Sequence, residues 1–297
     1  MVDGDVNAQL ERAPARALAI FLLLLCAFSA VAYALTIHLH RQTPMLSRFM
    51  MWCPGAAALG TCAILRLPQA ALGWRWPKGR WLAFAYVAPI LYALPVYGLT
   101  WAIARGALAP GSFLGATAAE YGFPGSPVLA TMFIGLPLMA TAGMVGGMTW
   151  ALGEELGWRG FLLPRLSERW GFTSACLASG LVWAVWHYPV LIWADYNAGT
   201  EPALAILFFT CSVIGMSFIL GWLRLRTDSV WPCVLLHASH NTFIQGVFDP
   251  MTADIGGSRL ATTEFGFGLA LTICAAAAML LARYPVAPRG RPSTQTA

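Results

Sequence analysis

Charged residues are scarce in this chain of 297 residues. Asp, Glu, Lys and Arg make up 10% of it, against roughly 25% in an average soluble protein. Hydrophobic residues make up 58%, which is more apolar surface than a soluble core can bury. The chain is therefore predicted to be an integral membrane protein without a sizeable soluble domain. Its net charge of +5 is modest and its arginines are dispersed, which argues against a nucleic-acid partner.

The sequence also lacks several patterns that mark known kinds of active site. It contains no C-x-x-C pair, and its seven cysteines all fall in apolar segments, as small buried hydrophobes do. It contains no H-E-x-x-H motif, which marks a common class of zinc proteases. No aspartate falls inside a predicted membrane span, which excludes a protease built on paired intramembrane aspartates.

Long uncharged runs are abundant instead. A helix needs about 20 apolar residues to cross a hydrocarbon core of about 30 Å. On that basis the sequence predicts an all-α, polytopic membrane helix bundle of about eight transmembrane helices. The runs cover residues 17–37, 49–65, 81–104, 121–153, 170–194, 202–223, 229–248 and 265–282.

The first and fourth runs have unusual beginnings. Residues 17–37 follow two arginines and contain Ala32-Tyr33-Ala34, so a cleaved signal peptide is the alternative to an uncleaved first helix. The length of the run favours the uncleaved helix. Residues 121–153 are too many for one crossing, and Pro and Gly in 124–127 interrupt the start of the run. The fourth crossing helix is therefore predicted to begin near Val128.

The basic residues predict the orientation of the bundle. All 18 Lys and Arg residues except Arg41, Arg48, Arg105 and Arg259 fall in loops or tails on one predicted side. Because cytoplasmic loops are enriched in Lys and Arg, both termini are predicted to be cytoplasmic in a multi-pass protein of the cell inner (plasma) membrane. The chain is interpreted as one membrane domain, residues 1–297, in which 128–248 form the catalytic core helices and 285–297 a disordered cytoplasmic tail.

Two adjacent glutamates, Glu154 and Glu155, follow the fourth run. A charged side chain near the centre of a membrane helix costs about 2.5–3.5 kcal/mol, so a pair of them there indicates a function. Arg159 is four residues from Glu155 and can pair with it on one helix face, which leaves Glu154 available as a base. The alternative is that both glutamates are solvated at a helix end.

Polar residues in two further runs can complete such a site. His187 lies in the fifth run, and Trp183, four residues earlier, can pack beneath its imidazole. His237 and Asn241 in the seventh run are also four apart and share a helix face, which His240 flanks. Interhelical hydrogen bonding is the alternative role for these residues. A base, imidazoles and an amide form a hydrolase-like set if they converge on one buried, water-accessible point.

The order and spacing of these residues resemble those of a known family. The three motifs are Glu154-Glu155-x-x-x-Arg159, Trp183-x-x-x-His187 and His237-x-x-x-Asn241. They are similar to the motifs of the CAAX prenyl protease 2 / bacteriocin-processing (CPBP, or Abi) family of intramembrane proteases. The residues from Gly157 to Leu166 also resemble those of bacterial members.

The resemblance implies an intramembrane endopeptidase that cleaves a peptide bond near the cytoplasmic membrane surface. It implies that Glu154 and His187 activate water, while His237 and Asn241 stabilise the oxyanion. Trp183 stands where eukaryotic members usually carry phenylalanine. The supporting residues are then Glu155, Arg159, Trp183 and His240.

Cofactor use stays open, because a carboxylate with two histidines is also a known zinc set. The possible metal ligands are Glu154, His187 and His237. A mechanism that requires no cofactor is favoured, since the resemblance to the CAAX-cleaving members implies a glutamate-based reaction. The predicted partners are membrane lipid and a peptide or protein substrate.

The depths of the two histidines raise a difficulty. Counted from the predicted cytoplasmic ends at about 1.5 Å per residue, His237 lies about 12 Å deep and His187 about 25 Å deep. They can meet only if the His187 helix begins outside the bilayer or is strongly tilted. The cavity is predicted to open towards the cytoplasmic half.

Two other functions fit parts of the sequence. Leu177-Ala178-Ser179-Gly180 is close to the Gly-x-Ser-Gly pattern of a rhomboid-like serine protease. Leu177 breaks that pattern, however, and small residues in membrane spans usually aid packing. The chief rival is a non-catalytic scaffold, immunity or transport protein with the same fold.

Overall fold

The computed structural model describes residues 2–39, 43–123 and 128–286. Within these ranges the chain forms helices and no strand, with one isolated bridge between Leu108 and Thr252. Residues 124–127 and most of the predicted tail, 287–297, lie outside the described residues. The helices are α1 (Val2–His38), α2 (Pro44–Leu65), α3 (Gly79–Ile103), α4 (Gly111–Tyr121), α5 (Val128–Ala130), α6 (Leu136–Leu138), α7 (Met144–Glu155), α8 (Leu163–Trp193), α9 (Pro202–Thr227), α10 (Trp231–His240), α11 (Ser258–Ala261) and α12 (Phe267–Arg283).

Among the described residues, five helices are long and apolar enough to cross a membrane. They are Ala15–His38, Pro44–Leu65, Gly79–Ile103, Val128–Trp193 and Pro202–Thr227. The fourth has 66 residues and is broken at Gly171, whose φ of 77° lies in a region that glycine adopts readily. Trp183 contacts Glu154, 29 residues earlier, so the chain reverses at this break. With the shorter apolar stretches 231–248 and Phe267–Arg283, the bundle is compatible with the predicted count of about eight, and the all-α fold class is confirmed.

Four stretches of the described helices have wider, π-type turns. They are Thr131–Gly135, Met139–Gly143, Leu156–Leu162 and Asn241–Phe248. The third follows Glu155 directly and the fourth begins at Asn241, so two of them start at residues of the sequence motifs. A π-type turn displaces the side chains that follow it from their regular helical positions, and such turns are frequent at functional sites.

Helices α2 and α7 approach closely because glycines face the contact. A Cβ on Gly153 would lie 2.6 Å from the Met51 carbonyl oxygen, and one on Gly157 would lie 2.4 Å from the Pro54 Cβ. Small residues four apart allow membrane helices to pack backbone against backbone. Glu154 and Glu155 lie between these two glycines in the chain, so the close approach fixes their position.

Several helix ends meet at one end of the bundle, where α2, α9 and α12 end and α3 begins. Val230 N donates to Gly73 O at 2.8 Å, and the Trp222 indole N–H donates to Tyr284 O at 2.9 Å. The Trp81 and Trp222 rings pack edge to face with centroids 5.5 Å apart. We call this the arginine-rich end because of its basic residues, which are Arg66, Arg75, Lys78, Arg80, Arg226 and Arg283.

At the opposite end, α3 and the stretch Asn241–Phe248 end while α2, α9 and α12 begin. Tyr97 donates its hydroxyl hydrogen to Asp249, and Thr263 N donates to the Tyr97 hydroxyl oxygen at 3.0 Å. The Trp101 indole N–H donates to Thr252 Oγ1 at 3.0 Å. The short helices α4 and α11, which have no counterpart among the predicted spans, lie in connections at this end.

Two arginines that the orientation prediction counted as loop charges are structural instead. Arg159 is 0% exposed and Arg224 is 3% exposed. Arg224 donates from Nε to Arg159 O at 3.0 Å and from Nη2 to Ala71 O at 3.2 Å. These two guanidinium groups therefore hold the bundle together and carry no information about the side of the membrane.

Candidate active site

Glu154 is buried near the end of α7, with 2% of its surface exposed. Its Oε2 accepts two indole hydrogen bonds, from Trp183 Nε1 at 2.7 Å and from Trp158 Nε1 at 3.2 Å. Two N–H donors on one oxygen hold the carboxylate in a single orientation. The alternative of glutamates solvated at a helix end is therefore wrong.

Glu155 is fully buried and belongs to a separate charged network. Its Oε1 accepts from Arg159 Nη1 at 3.0 Å and from His237 Nδ1 at 2.9 Å. Arg159 also donates from Nη2 to Ser217 Oγ at 3.1 Å. The pairing that the spacing predicts is present in the structure, since Glu155 pairs with Arg159 and Glu154 does not.

Trp183 contacts more of the site than the sequence predicted. The sequence placed it only beneath the His187 imidazole. Its indole N–H binds Glu154, and the Arg159 Cζ lies 4.2 Å from the centroid of its ring. Its carbonyl oxygen accepts from His187 Nδ1 at 3.0 Å. The Trp183 and His187 rings themselves are tilted by 59° with centroids 6.2 Å apart, so Trp183 does not lie flat beneath the imidazole.

The hydrogen-bond partners of His187 and His237 fix which ring nitrogen carries a hydrogen. His187 Nδ1 faces a carbonyl oxygen and His237 Nδ1 faces a carboxylate oxygen. Both partners only accept, so both Nδ1 atoms donate. The Nε2 atom of each ring then remains for a molecule in the cavity.

One cavity of about 140 Å³ brings the four candidate catalytic residues together. Glu154, His187, His237 and Asn241 all line it, although the sequence raised a difficulty over the depths of the two histidines. The other lining residues are Ser47, Met50, Met51, Trp183, Tyr196, Phe209, Ser212, Val213, Met216, His240, Gln245 and Glu264. Polar groups that converge on a small apolar-walled cavity are typical of an active site.

A second hydrogen-bonded network lines the same cavity. His240 Nε2 lies 2.9 Å from Glu264 Oε1, and His240 Nδ1 lies 2.7 Å from the Tyr92 hydroxyl. Gln245 Nε2 donates to Glu264 Oε1 at 2.7 Å, and the Tyr196 hydroxyl donates to Oε2 at 3.1 Å. His240, predicted to flank His237, therefore pairs with a carboxylate of its own.

Two acidic groups in the loops next to this network have shifted pKa values. Burial would raise the pKa of Glu264, but the hydrogen bond and charge of His240 and the bonds from Gln245 and Tyr196 outweigh it and lower that pKa from 4.5 to about 2. Burial raises the pKa of Asp249 from 3.8 to about 7, against the hydrogen bond from Tyr97 and with the help of the Glu264 charge.

Several residues of the site escaped the sequence reasoning. Glu264 follows α11 in a loop, and it carries no motif spacing to the residues it contacts. Tyr196 and Gln245 resemble ordinary residues near helix ends. Of these missed residues, Trp158 could have been found from its spacing. It is four residues after Glu154 and so shares its helix face.

The zinc alternative names Glu154, His187 and His237 as ligands. Among the described residues, no three His, Cys, Asp or Glu side chains form a group that could hold a metal ion. Glu154 Oε2 is occupied by two indole N–H groups, and His187 and His237 each bind a protein oxygen through Nδ1. Glu154, His187 and His237 share the cavity, and the mechanism without a cofactor stays a prediction.

The serine of the rhomboid-like alternative lies elsewhere. Ser179 is fully buried in α8, and its Oγ has no hydrogen-bond partner among the described residues. It is not among the residues that line the cavity. Ser179 is therefore not placed as a nucleophile for this site.

The cavity lies between Glu154 and the opposite end of the bundle, where α2, α9 and α12 begin. Tyr196 and Glu264 belong to loops at that end, and Ser47 lies in the first turn of α2. On the predicted orientation that end is non-cytoplasmic. The sequence-based predictions of cytoplasmic termini and of a cavity that opens to the cytoplasmic half therefore cannot both hold.

Fold and site together define a class: an all-α, multi-pass membrane protein with a buried cavity lined by carboxylates and imidazoles. The sequence profile of the family described as type II CAAX prenyl endopeptidase, Rce1-like, matches residues 136–243. That range contains every residue of the three sequence motifs. The match supports the CPBP family of intramembrane proteases and confirms the resemblance that the motifs indicate.

A curated relative matches part of the chain. The chain is 28% identical over 88 residues to the CAAX prenyl protease 2 of Methanococcus maripaludis. The aligned residues are 28% of this chain and 32% of that relative, so the chain spans about a third of the length of the curated relative that it matches. Of the second network, Tyr92, Gln245 and Glu264 lie outside the 136–243 range, whereas Tyr196 and His240 lie inside it.

Proposed function

We propose that this protein is an intramembrane endopeptidase in which Glu154 is the general base. The observation that carries the proposal is that Glu154, His187, His237 and Asn241, from different helices, line one cavity. The CAAX-protease-like family match supports the reaction class. We place the protein in the inner (plasma) membrane with both termini in the cytoplasm, on the evidence of its basic residues.

The reaction begins with a water molecule between Glu154 and His187. The His187 Nε2 accepts one hydrogen bond from this water, and the Glu154 carboxylate removes a proton as the water oxygen attacks the scissile carbonyl carbon. Glu154 then passes that proton to the leaving amine when the C–N bond breaks. The two indole hydrogen bonds keep the carboxylate oriented towards the cavity throughout.

The developing oxyanion needs hydrogen-bond donors on the other side of the carbonyl. The Asn241 amide and the Nε2–H of a doubly protonated His237 supply them. The buried Glu155 carboxylate, 2.9 Å from His237 Nδ1, stabilises that positive charge. Arg159 contacts the same Glu155 oxygen, so one carboxylate holds both Arg159 and His237 in place and Glu154 is not part of this ion network.

The experiment that tests this function compares new protein termini in cells that produce the wild type or the Glu154→Gln variant. Gln keeps the size of the side chain and removes the base. We expect a set of cleavage sites next to membrane segments to disappear in the variant and to persist in Glu168→Gln, which changes an exposed glutamate of α8. Identical termini in all three strains would favour the non-catalytic scaffold or transport alternative.

A chelator separates this mechanism from a zinc mechanism. The cavity does not offer a group of three metal ligands, so cleavage by the purified protein is expected to continue in the presence of 1,10-phenanthroline. Loss of cleavage with the chelator, and recovery with added zinc, would contradict the metal-free mechanism while leaving Glu154 as a required residue.

A further inference from the structure

The floor of the cavity is closed towards the arginine-rich end. On that side of Glu154 lie Trp158, Glu155 and Arg159, each 0% exposed. Arg224 adds a further layer through its bonds to the carbonyl oxygens of Arg159 and Ala71. A peptide could reach the cavity from this end only by breaking a buried ion network, which costs several kcal/mol.

The walls of the cavity continue towards the opposite end. Tyr196 lies in the connection between α8 and α9, and Glu264 lies in the connection between α11 and α12. Gln245, near the end of the Asn241–Phe248 stretch, is exposed and also lines the cavity. Gln245 therefore marks the mouth, next to the hydrogen-bonded Tyr196 and Glu264, and the four candidate catalytic residues lie beneath it.

The charge distribution assigns a membrane side to each end. Without Arg159 and Arg224, which are buried, the arginine-rich end and the tails still hold most of the Lys and Arg residues. Among the described residues, the opposite end has only Arg48, Arg105 and Arg259 as basic Lys or Arg residues. Because basic residues are retained in the cytoplasm, the arginine-rich end is cytoplasmic.

We infer that the cavity takes its substrate from the non-cytoplasmic side of the membrane. The substrate class is a polypeptide segment that is exported or anchored at the outer face and that enters beside the exposed Gln245. The term substrate rests on the proposed peptidase function, whereas the side of access does not. The inference departs from the cytoplasmic cleavage that the family resemblance implies.

The experiment measures from which side each end of the full-length protein can be labelled. Single cysteines are introduced as Gln245→Cys at the cavity mouth, Asp254→Cys in the exposed loop at the same end, and Lys78→Cys at the arginine-rich end. Sealed right-side-out and inside-out vesicles are treated with a membrane-impermeant maleimide. The parent protein, with its seven native cysteines, gives the background, and thermal unfolding checks that each variant is folded.

We expect Gln245→Cys and Asp254→Cys to be labelled in right-side-out vesicles and protected in inside-out ones, with Lys78→Cys showing the reverse. Three results would overturn the inference: the opposite pattern, labelling of Gln245→Cys from the same side as Lys78→Cys, or no labelling of Gln245→Cys from the outer side. None of these results depends on catalysis, so a failure here is distinguishable from a failure of the Glu154 mechanism.

Discussion

Trp183 is the side chain that connects most of the candidate site. Its N–H holds Glu154, its ring faces Arg159, and its carbonyl oxygen orients His187. The sequence identified an aromatic residue at this position but could not show the direction of the indole N–H, because that direction depends on how α8 packs against α7. Phenylalanine, which eukaryotic members usually carry, could not make the bond to Glu154.

Trp183→Phe is therefore expected to slow cleavage while the protein stays folded. A hydrogen bond to a charged group contributes about 1.5–3 kcal/mol, so kcat should fall about tenfold to a hundredfold. KM should change little, because the aromatic wall remains. Trp158→Phe removes the longer bond, at 3.2 Å, and should have a smaller effect. Equal kcat values for the wild type and Trp183→Phe would show that the bond does not position the base.

Glu264 gives a prediction about stability and pH. Its pKa is about 2 in the folded protein and 4.5 ordinarily, so the stability that it contributes is present above pH 4.5 and is lost as the pH falls towards 2. Glu264→Gln should lower the melting temperature at pH 7. It should also make the further fall in melting temperature between pH 5 and pH 3 smaller than in the parent protein.

The measurement is thermal unfolding in detergent between pH 7 and pH 3, in the Asp249→Asn background. That background removes a group with the opposite trend, since the raised pKa of Asp249 stabilises the folded state as the pH falls from about 7. If the melting temperature depends on pH in the same way with and without Glu264→Gln, then His240, Gln245 and Tyr196 do not stabilise the Glu264 carboxylate.

The crossing of α2 and α7 explains why the two glutamates are held so firmly. The Gly153-x-x-x-Gly157 spacing was visible in the sequence, but its partner surface on α2 was not. The π-type turns that start after Glu155 and at Asn241 were not predictable either, because hydrophobic periodicity does not distinguish them from a regular helix. The break at Gly171, by contrast, agrees with the predicted boundary at residue 170.

Gly153→Ala tests this crossing. The added methyl group would lie 2.6 Å from the Met51 carbonyl oxygen, so the two helices must separate, at a cost of about 1–3 kcal/mol. We expect a lower melting temperature and slower cleavage. Gly146→Ala is the matched control on the same helix, since no atom lies within 4 Å of its added Cβ, and it should be neutral or slightly stabilising. Similar melting temperatures for the two variants would rule out a tight α2–α7 contact.

At the scale of the whole molecule, the sequence predicts the fold and the candidate residues but not the position of the cavity. Long apolar runs predicted the all-α bundle and its approximate number of crossings, because the thickness of the bilayer sets helix length. The four residues Glu154, His187, His237 and Asn241 were predicted from polar side chains in apolar runs, and they share one cavity. The position of that cavity could not be predicted, because burial of Arg159 and Arg224 closes one end and the loops with Tyr196 and Glu264 form the other.

The most direct test of the mechanism is the cleavage rate of an identified peptide by the protein reconstituted in vesicles. The rate of Glu154→Gln is compared with that of the wild type at equal amounts of folded protein. General-base catalysis contributes about a hundredfold to ten-thousandfold, so the variant should be slower by at least about a hundredfold. A variant rate within a factor of about two of the wild type would contradict a general-base role for Glu154.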